Sequence, residues 1–252
     1  MKKLIAGLSV TLMASFSGAV EMGTGIWQQT TSGTVANNAI NLGDLGLQSS
    51  NDIYLYVNVN MPLFIPDVKF RNQALVASGN GTLSITETFA GTTFNVTGDA
   101  TSTLDLTYTD VVTHYGISLP LVNFDFGLNF RLVNGSFAID PDDVNLATQS
   151  GDLAFIIPMG HVAGGAKFPG TGVSVYGEYN TLPLGTTSVN DLMVKARYKL
   201  PLPTLVLDLG IEAGYHSFDM TLGDNILGMI DTTKFASDVK SSGLFVGVSA
   251  NF

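Results

Sequence analysis

Apolar side chains recur at every second position from Met22 to Phe252, in segments of about ten residues. The final segment shows this pattern best, because Leu244, Val246, Val248 and Phe252 alternate with residues that, apart from Phe245, are small or polar. Successive side chains of a β-strand point to opposite faces, so each segment presents one apolar row and one polar row. Segments of this length and period are typical of membrane-barrel strands, whose outer row meets lipid and whose inner row faces a polar lumen.

The composition favours a lipid environment for these strands. Charged residues make up 13% of the chain, about half of the usual share, and the mean hydropathy is +0.30. Beyond residue 20, however, no apolar run approaches the roughly 18 residues that a membrane helix needs. A closed barrel is the remaining way to satisfy every backbone polar group in lipid. The sequence therefore predicts an all-β, transmembrane antiparallel β-barrel.

Charge and cysteine content exclude several classes of function. The formal net charge of −10 disfavours nucleic acid as a partner, because phosphate contacts require basic patches. The chain has no cysteine, which excludes disulfides, thiolate metal sites and cysteine nucleophiles. No motif indicates a cofactor, and we predict neither a cofactor nor a metal site.

The first nineteen residues have the pattern of a secretory signal peptide. Lys2 and Lys3 provide a positive start, an apolar stretch covers 4–16, and small residues at 17–19 resemble a cleavage site. An N-terminal membrane anchor is the alternative. We predict a signal peptide at 1–19 and an outer-membrane β-barrel at 20–252, in the outer membrane of a Gram-negative cell.

Turn signals divide the chain into hairpins. Short proline-bearing connections occur at 61–66, 118–121, 164–170 and 201–203, and they alternate with longer polar connections near 31–50, 78–101, 135–151, 181–189 and 218–241. This alternation predicts short periplasmic turns and longer external loops. The segments between them predict about ten strands, near 20–30, 51–60, 67–77, 102–117, 122–134, 152–163, 171–180, 190–200, 204–217 and 242–252.

Three places fit the ten-strand scheme poorly. Residues 82–97 could form a further hairpin, which would either extend two strands above the membrane or raise the count to twelve; eight strands is the other alternative. Asp110 falls in an apolar row, which predicts a bulge or a register switch there. Pro158 interrupts the sixth strand, and a closed ladder tolerates proline only at a bulge.

Several short motifs resemble a family of uncharacterised proteobacterial outer-membrane proteins. They are Gly25-Ile26-Trp27, the stretch 61–69 with its two prolines, Leu104-Asp105-Leu106, the 168–172 turn and the terminal Gly243-Leu244-Phe245. Met61 and Asp67 depart from the histidine and asparagine of the family. The resemblance implies an outer-membrane barrel and carries no activity or catalytic residue.

The last strand also resembles the signal by which barrel-assembly machinery recognises its substrates. Phe252 would be the terminal aromatic residue of that signal, together with Leu244, Val246 and Val248. An ordinary buried strand end is the alternative explanation. The resemblance implies the assembly machinery as a partner during biogenesis, in addition to outer-membrane lipid and lipopolysaccharide.

Charged residues of both signs occupy the predicted lumen rows. They are Lys69, Arg71, Asp105, Asp125, Arg131, Glu178, Lys195, Arg197, Asp208 and Glu212. Ten strands enclose too narrow a lumen for an open porin channel, so we expect these charges to pair across the interior. A narrow path for ions or small solutes is the alternative. We therefore predict a structural barrel, or one that passively transports small or apolar solutes.

Two other functions remain open at this point. His216 shares a row with Asp208 and Glu212, which could form a rim site that acts on lipid or peptide. No motif marks a partner serine or a second aspartate, so we predict that the chain is not an enzyme. The long external connections could instead serve adhesion or act as a receptor.

Overall fold

The computed structural model describes residues 19–62, 64–184, 187–202, 207–226 and 230–252. The predicted signal peptide falls, except for Ala19, on residues 1–18, which lie outside this part of the chain. Within the described ranges, no helix has the length and apolar character that crossing a membrane requires.

Strands account for most of the described residues. They are β1 Val20–Val35, β2 Ile40–Asn41, β3 Ser50–Val59, β4 Asp67–Gln73, β5 Val76–Phe89, β6 Thr92–Asp105, β7 Tyr108–Ser118, β8 Val122–Pro141, β9 Gln149–Phe168, β10 Val173–Leu184, β11 Thr187–Lys199, β12 Asp208–Leu222, β13 Asn225–Ile226, β14 Ile230–Asp231 and β15 Ser237–Asn251. A single 3₁₀ turn at Thr233–Phe235 precedes β15.

Ten of these strands close into an antiparallel barrel. Their order around the barrel is β1-β3-β4-β7-β8-β9-β10-β11-β12-β15. The first and last strands close it, since β1 pairs with β15 from Glu21↔Asn251 to Val35↔Ser237. The predicted architecture and the count of ten strands are confirmed.

The two ends of the barrel differ. At the end where β1 begins and β15 ends, which we name the turn end, short connections join the strands. At the opposite end, the loop end, most strands run further than the sequence predicted. The hairpin of β5 and β6 occupies 76–105, where the sequence predicted a long loop, and β8 and β9 extend to Pro141 and from Gln149. Abundant threonine, serine and asparagine looked like loop composition, but these residues form the outward rows of strands.

The β5–β6 hairpin continues two barrel strands instead of adding new ones. β5 follows β4 after a break at 74–75, and β7 follows β6 after a break at 106–107. Leu104, Leu106, Tyr108 and Asp110 are all buried and lie in one inward row, so the strand is interrupted without a change of face. Residues 82–97 therefore extend two barrel strands beyond the apolar band and do not raise the number of barrel strands to twelve.

Pro158 lies where the sheet can accept it. β9 pairs with β8 at Pro158↔Phe130, but its pairing with β10 stops at Gly160↔Thr181. At Pro158, β9 is therefore paired with β8 only. The N–H that proline lacks removes no hydrogen bond between β9 and β10, because these strands are not paired there. The predicted turn at 164–170 is shorter than expected, because β9 continues to Phe168 before Gly170 makes the turn with a φ of 78°.

Apolar side chains form a band around the outside of the barrel. Val246 is 57% exposed, Leu128 55% and Leu55 51%, although all three belong to the most regular strands. The band also includes Ile26, Ile53, Phe70, Ile117, Phe124, Phe126, Phe130, Ile156, Val162, Leu192, Val194, Ile211, Leu244 and Val248. Water would penalise such a surface, whereas hydrocarbon would not.

A basic side chain in the apolar band should destabilise the barrel in a membrane. Val246 lies between Ile26 and Ala213 near the middle of the band, and Val246→Arg should cost about 2–4 kcal/mol of folding free energy. The matched control Thr101→Arg lies on the polar outer face beside Asp140, where the cost should stay within about 0.5 kcal/mol. Urea titrations of both variants in lipid vesicles measure the difference. Equal stability of the two variants would contradict a lipid-facing band.

Candidate functional site

Four charged side chains form the centre of the barrel interior. Strand register sets Arg71 of β4 opposite Asp110 of β7, and Asp110 opposite Arg131 of β8. Asp191 of β11 approaches them from across the lumen. Arg131 Nε donates to Asp110 Oδ1 at 2.7 Å, and Arg131 Nη2 donates to Asp191 Oδ2 at 2.6 Å. We name Arg71, Arg131, Asp110 and Asp191 the central cluster.

The central cluster balances its own charge. Arg71 Nη2 donates to both carboxylates, at 2.6 Å to Asp110 Oδ2 and 3.2 Å to Asp191 Oδ1. All four side chains are at most 3% exposed, and the Arg131 guanidinium lies 3.6 Å from the ring centroid of Tyr108. Two cations and two anions in such contact offset the cost of leaving water. The cluster therefore fills the lumen as a hydrogen-bonded plug.

Two further ion pairs lie beside the central cluster. Together with the cluster they form a layer of charged side chains across the lumen, which we name the charged layer. Lys69 forms a close ion pair with Glu178, and Arg71 Nη1 lies 3.5 Å from Glu178 Oε1. Lys195 Nζ donates to Glu212 Oε2 at 2.8 Å, and this carboxylate also accepts the hydroxyls of Tyr54 and Tyr56 at 2.7 and 3.0 Å. Every lysine and carboxylate of this layer thus has a partner on another strand.

Glycines of the neighbouring strands make room for the two tyrosines. A Cβ at Gly247 would lie 2.2 Å from the Tyr54 hydroxyl, and one at Gly23 would lie 2.4 Å from Cε1 of Tyr56. Side chains at these inward positions would therefore displace the rings from Glu212. The glycines allow large polar side chains from one wall to reach carboxylates on the opposite wall.

The remaining predicted lumen residues lie at the margins or outside. Arg197 Nη2 donates to Asp208 Oδ1 at 2.9 Å near the turn end, where Asp208 is partly exposed. Asp125 is half-buried and accepts from the amide of Asn123 at 3.1 Å. Asp105 is not a lumen residue: it lies in the outward row of β6 and accepts the Thr107 N–H at 2.8 Å, at the break before β7.

Sequence reasoning missed half of the central cluster. Asp110 stands in a row with leucines, which concealed it, whereas Asp191 is four residues before Lys195 and therefore shares its row. The alternation of side chains along β11 could have placed Asp191 in the lumen. It could not have identified the partners of Asp191, because β4, β7, β8 and β11 come from distant parts of the chain.

His216 pairs with a different carboxylate from the two that the sequence suggested. His216 Nε2 lies 3.2 Å from Asp191 Oδ2, and its ring is 4.5 Å from that of Trp27. Glu212 is occupied by Lys195 and two tyrosines, and Asp208 pairs with Arg197 and Lys199. Because His216 is 3% exposed, the pair belongs to the plug and not to an open rim.

The other two histidines lie close to each other, nearer the turn end. The rings of His114 and His161 are 5.6 Å apart, and His161 Nδ1 lies 2.8 Å from the Asn180 amide oxygen. The Asn180 amide nitrogen in turn donates to Glu178 Oε1 at 3.0 Å. This chain of contacts connects the histidines to the ion pair of Lys69 and Glu178. The described residues contain no group of three His, Cys, Asp or Glu side chains placed to bind a metal ion.

The free space inside the charged layer is small. A cavity of about 20 Å³ lies among ten side chains: Trp27, Tyr54, Tyr56, Lys69, Arg71, Gln73, Met193, Glu212, His216 and Phe245. This space suffices for one water molecule. The lumen is therefore filled at this level.

An apolar core closes the interior above the charged layer. Phe137 contacts Phe94 and Phe89 edge-on, with ring centroids 4.9 and 5.6 Å apart. Phe155 and Phe235 meet at 5.2 Å. Leu42, Leu45, Leu83, Val96, Leu104, Ile139, Leu153, Leu182, Val189, Phe218, Met220, Leu222 and Ile226 complete this core. The extended strands at the loop end thus enclose packed side chains.

Comparisons with known proteins do not identify the chain. It is similar to the outer membrane protease OmpT from Escherichia coli, with a TM-score of 0.46 and 9% identity over 94% of this chain and 97% of OmpT. It is also similar to the toluene transporter TodX from P. putida, with a TM-score of 0.28 and 8% identity over 96% of this chain and 91% of TodX. No protein-family model and no curated protein matches the sequence.

These comparisons correct one prediction. The sequence analysis predicted that the chain is not an enzyme, but OmpT, a barrel similar to it over nearly the whole length of both chains, is a protease. The prediction of no enzymatic activity is therefore contradicted. At this identity and TM-score the likeness transfers neither an activity nor an active-site residue to this chain. Because no family model matches, the resemblance to one uncharacterised outer-membrane family stays a prediction.

Removing one carboxylate from the central cluster should destabilise the barrel strongly. Asp191→Asn leaves two buried arginines facing one aspartate, and we expect a loss of about 3–5 kcal/mol in folding free energy. The matched control Asp219→Asn removes a carboxylate whose exposed pair with Lys240 spans 3.5 Å, at a cost below about 1 kcal/mol. Urea denaturation in detergent micelles compares the two. A loss of similar size in both variants would contradict the plug.

Proposed function

We propose that this protein is a non-conducting β-barrel of the bacterial outer membrane that exposes a binding surface at its loop end. The observation that carries the proposal is the filled interior. The central cluster occupies the barrel axis, and an apolar core covers it on the loop side. A solute would have to separate buried ion pairs to pass, at a cost of several kcal/mol per unpaired charge. Passive transport through the lumen is therefore disfavoured.

Two features support the location in a membrane and its orientation. The apolar band has the character of a lipid-facing surface, and the turn end has short connections of the kind that outer-membrane barrels place in the periplasm. Under this proposal, residues 1–19 are removed on export and the strand ending at Phe252 is recognised by assembly machinery. The loop end then lies outside the cell, within and above the lipopolysaccharide layer.

The outer face of the β5–β6 hairpin supports a binding role. Its side chains are short and polar, with Asp99 and Asp105 as the carboxylates of β6, and many are paired across the strands, as in Ser78 with Thr103 at 3.2 Å and Asn80 with Thr101 at 2.8 Å. Thr88 and Thr93 form a similar pair at 3.0 Å. Hydroxyl and amide groups of this kind can bind polar partners such as the sugars of lipopolysaccharide, or proteins. The filled lumen leaves this outer region as the accessible part of the molecule.

Electrical recording tests the non-conducting barrel. The purified full chain in planar bilayers should show no stepwise conductance, because both interior layers close the lumen. A variant in which an Asn-Gly turn replaces residues 84–97 keeps the Leu83↔Gly98 pair, removes part of the upper layer and should also stay closed, since the central cluster lies beneath it. Ohmic steps from the unmodified protein would contradict the proposal.

Cysteine labelling tests the orientation. The chain has no cysteine, so single substitutions report one position each. Thr86→Cys at the loop end should react with a membrane-impermeant maleimide in intact cells, whereas Thr171→Cys at the turn end should react only after permeabilisation of the outer membrane. Both side chains are exposed. The reverse pattern would place the loop end in the periplasm.

A further inference from the structure

One strand of the loop end lacks a partner along part of its length. β5 pairs with β6 throughout, from Val76↔Asp105 to Phe89↔Thr92. On its other side, the backbone of Val76 contacts Asp52 and Gln29 at the start of β5, and two backbone contacts follow further along. Gln48 N–H donates to the Ser78 carbonyl at 3.1 Å, and Ala90 N–H donates to the Lys234 carbonyl at 2.8 Å. The stretch 82–88 between these points forms an open sheet edge.

These contacts define which backbone groups are unpaired. In a strand, the N–H and C=O of alternate residues point to the same side. Val76 and Ser78 of β5 both bond on the open side, and both have even numbers. Thr82, Ser84, Thr86 and Thr88 lie further along the strand at the same parity, so their N–H and C=O groups point into the open side.

A groove runs along this open edge. Two adjoining cavities, of about 400 and 410 Å³, line up beside β5 and share Ala39. β5 forms one wall over 82–89, while residues 36–45 together with Thr233, Lys234 and Ala236 form the other wall. The groove is therefore continuous beside the unpaired backbone groups, and at 3.4 Å per residue the free stretch 82–88 is about 24 Å long.

The opposite wall has a fixed and unusual backbone. Ala36, Asn37 and Asn38 have φ angles of 55°, 54° and 70°, in the left-handed region that non-glycine residues rarely adopt. Asn37 N–H donates to the Ala236 carbonyl at 3.0 Å, which holds this turn against the segment before β15. The turn at 36–38 is thus anchored to the segment before β15, and among the described residues it forms no strand pairing with β5.

In the neighbouring strand β6, a side chain pairs with backbone groups that have no strand partner. Asn95 of β6 donates its N–H to the Gln149 side-chain oxygen at 2.7 Å, and its carbonyl accepts from the Gln149 amide at 3.1 Å. One side chain replaces a missing strand there. Among the described residues, no side chain hydrogen-bonds in this way to the backbone of Thr82, Ser84, Thr86 or Thr88. The edge of β5 also lacks the proline and lysine that protect exposed edges.

We propose that this groove binds an extended peptide segment of another protein, which adds as a strand to β5. A row of unpaired N–H and C=O groups at strand spacing is complementary to an extended backbone and to little else. The free length accommodates about seven residues. The proposal depends on the proposed function only in that it places the groove outside the membrane.

The side chains of the groove specify the character of the bound segment. Leu83 is buried and Ile85 half-buried on the inner side, whereas Glu87 of the same row is exposed and Lys234 lies on the opposite wall. Inward residues of the peptide therefore meet apolar side chains at 83 and 85 and charged side chains near 87. Its outward residues would align with the hydroxyls of Thr82, Ser84 and Thr86. The bound segment therefore alternates apolar and polar residues.

A second copy of this chain fits the groove less well than a free peptide does. The wall at 36–45 faces the edge of β5 across the groove, and a second β5 would bring its own wall with it. The two walls would obstruct the approach of the two edges to the roughly 5 Å that strand pairing requires. A single extended segment has no such obstruction.

Peptide binding to the full chain in detergent micelles tests the proposal. The probe is a fluorescein-labelled peptide in which threonine alternates with valine between terminal lysines, and its control is the same peptide with alternate backbone amides methylated. Anisotropy should show saturable binding of the first peptide, and about tenfold or weaker binding of the second, because methylation removes ladder hydrogen bonds.

Two variants of the protein separate backbone pairing from side-chain contact. Ser84→Pro removes an N–H that points into the groove and leaves the β5–β6 ladder intact, so it should weaken binding about tenfold. Ser84→Ala keeps the backbone and should bind the peptide as the unmodified protein does. Amide hydrogen exchange on the unmodified protein provides a test that needs no variant: the peptide should protect the amides of Thr82, Ser84, Thr86 and Thr88.

Several outcomes would overturn the proposal. They are absence of binding to the unmodified protein, equal binding of the methylated peptide, equal binding by a folded Ser84→Pro variant, and exchange protection that omits the four amides. A concentration-dependent dimer that Ser84→Pro abolishes would also overturn it, because the occupant would then be a second copy. None of these results would make the barrel conduct, so failure of the groove and failure of the proposed function remain distinguishable.

Discussion

Satisfaction of backbone hydrogen bonds is the constraint on which the rest of this structure depends. Lipid offers no partner to an unpaired N–H or C=O, so the ten strands must close, and the β1–β15 ladder closes them over the full length of both strands. Closure determines the diameter of the lumen. A narrow lumen in turn brings side chains from opposite walls within hydrogen-bonding distance, which is how Asp191 reaches Arg131.

Because the lumen is narrow, side chains fill it, and they do so in two different ways. In the central layer, charges of both signs pair across the axis, and glycines such as Gly247 give the space that Tyr54 needs to reach Glu212. Towards the loop end, where the outer surface becomes polar, the inward rows become aromatic and aliphatic. The membrane part therefore has apolar residues outside and polar ones inside, and the loop end has the reverse. Both arrangements exclude a water-filled path.

The requirement for closure ends where the apolar band ends. In water an unpaired strand edge costs little, because solvent replaces the missing partner. The open edge of β5 occurs only in this region, and its neighbour β6 has the side chain of Gln149 over the corresponding groups. The unpaired backbone groups of β5 face a groove, and the proposed binding of an extended segment would pair them.

The sequence by itself determined the architecture of this protein, because alternation of side chains along a strand is a local property. The rows of Leu244, Val246 and Val248 and of Ile53 and Leu55 face outward as predicted, and the ten strands lie close to their predicted positions. Only the tertiary structure decided what closure brings together. The pairing of His216 with Asp191, the outward position of Asp105 and the groove beside β5 join strands far apart in the chain. Such contacts depend on the diameter and stagger of the closed barrel, which no single segment encodes.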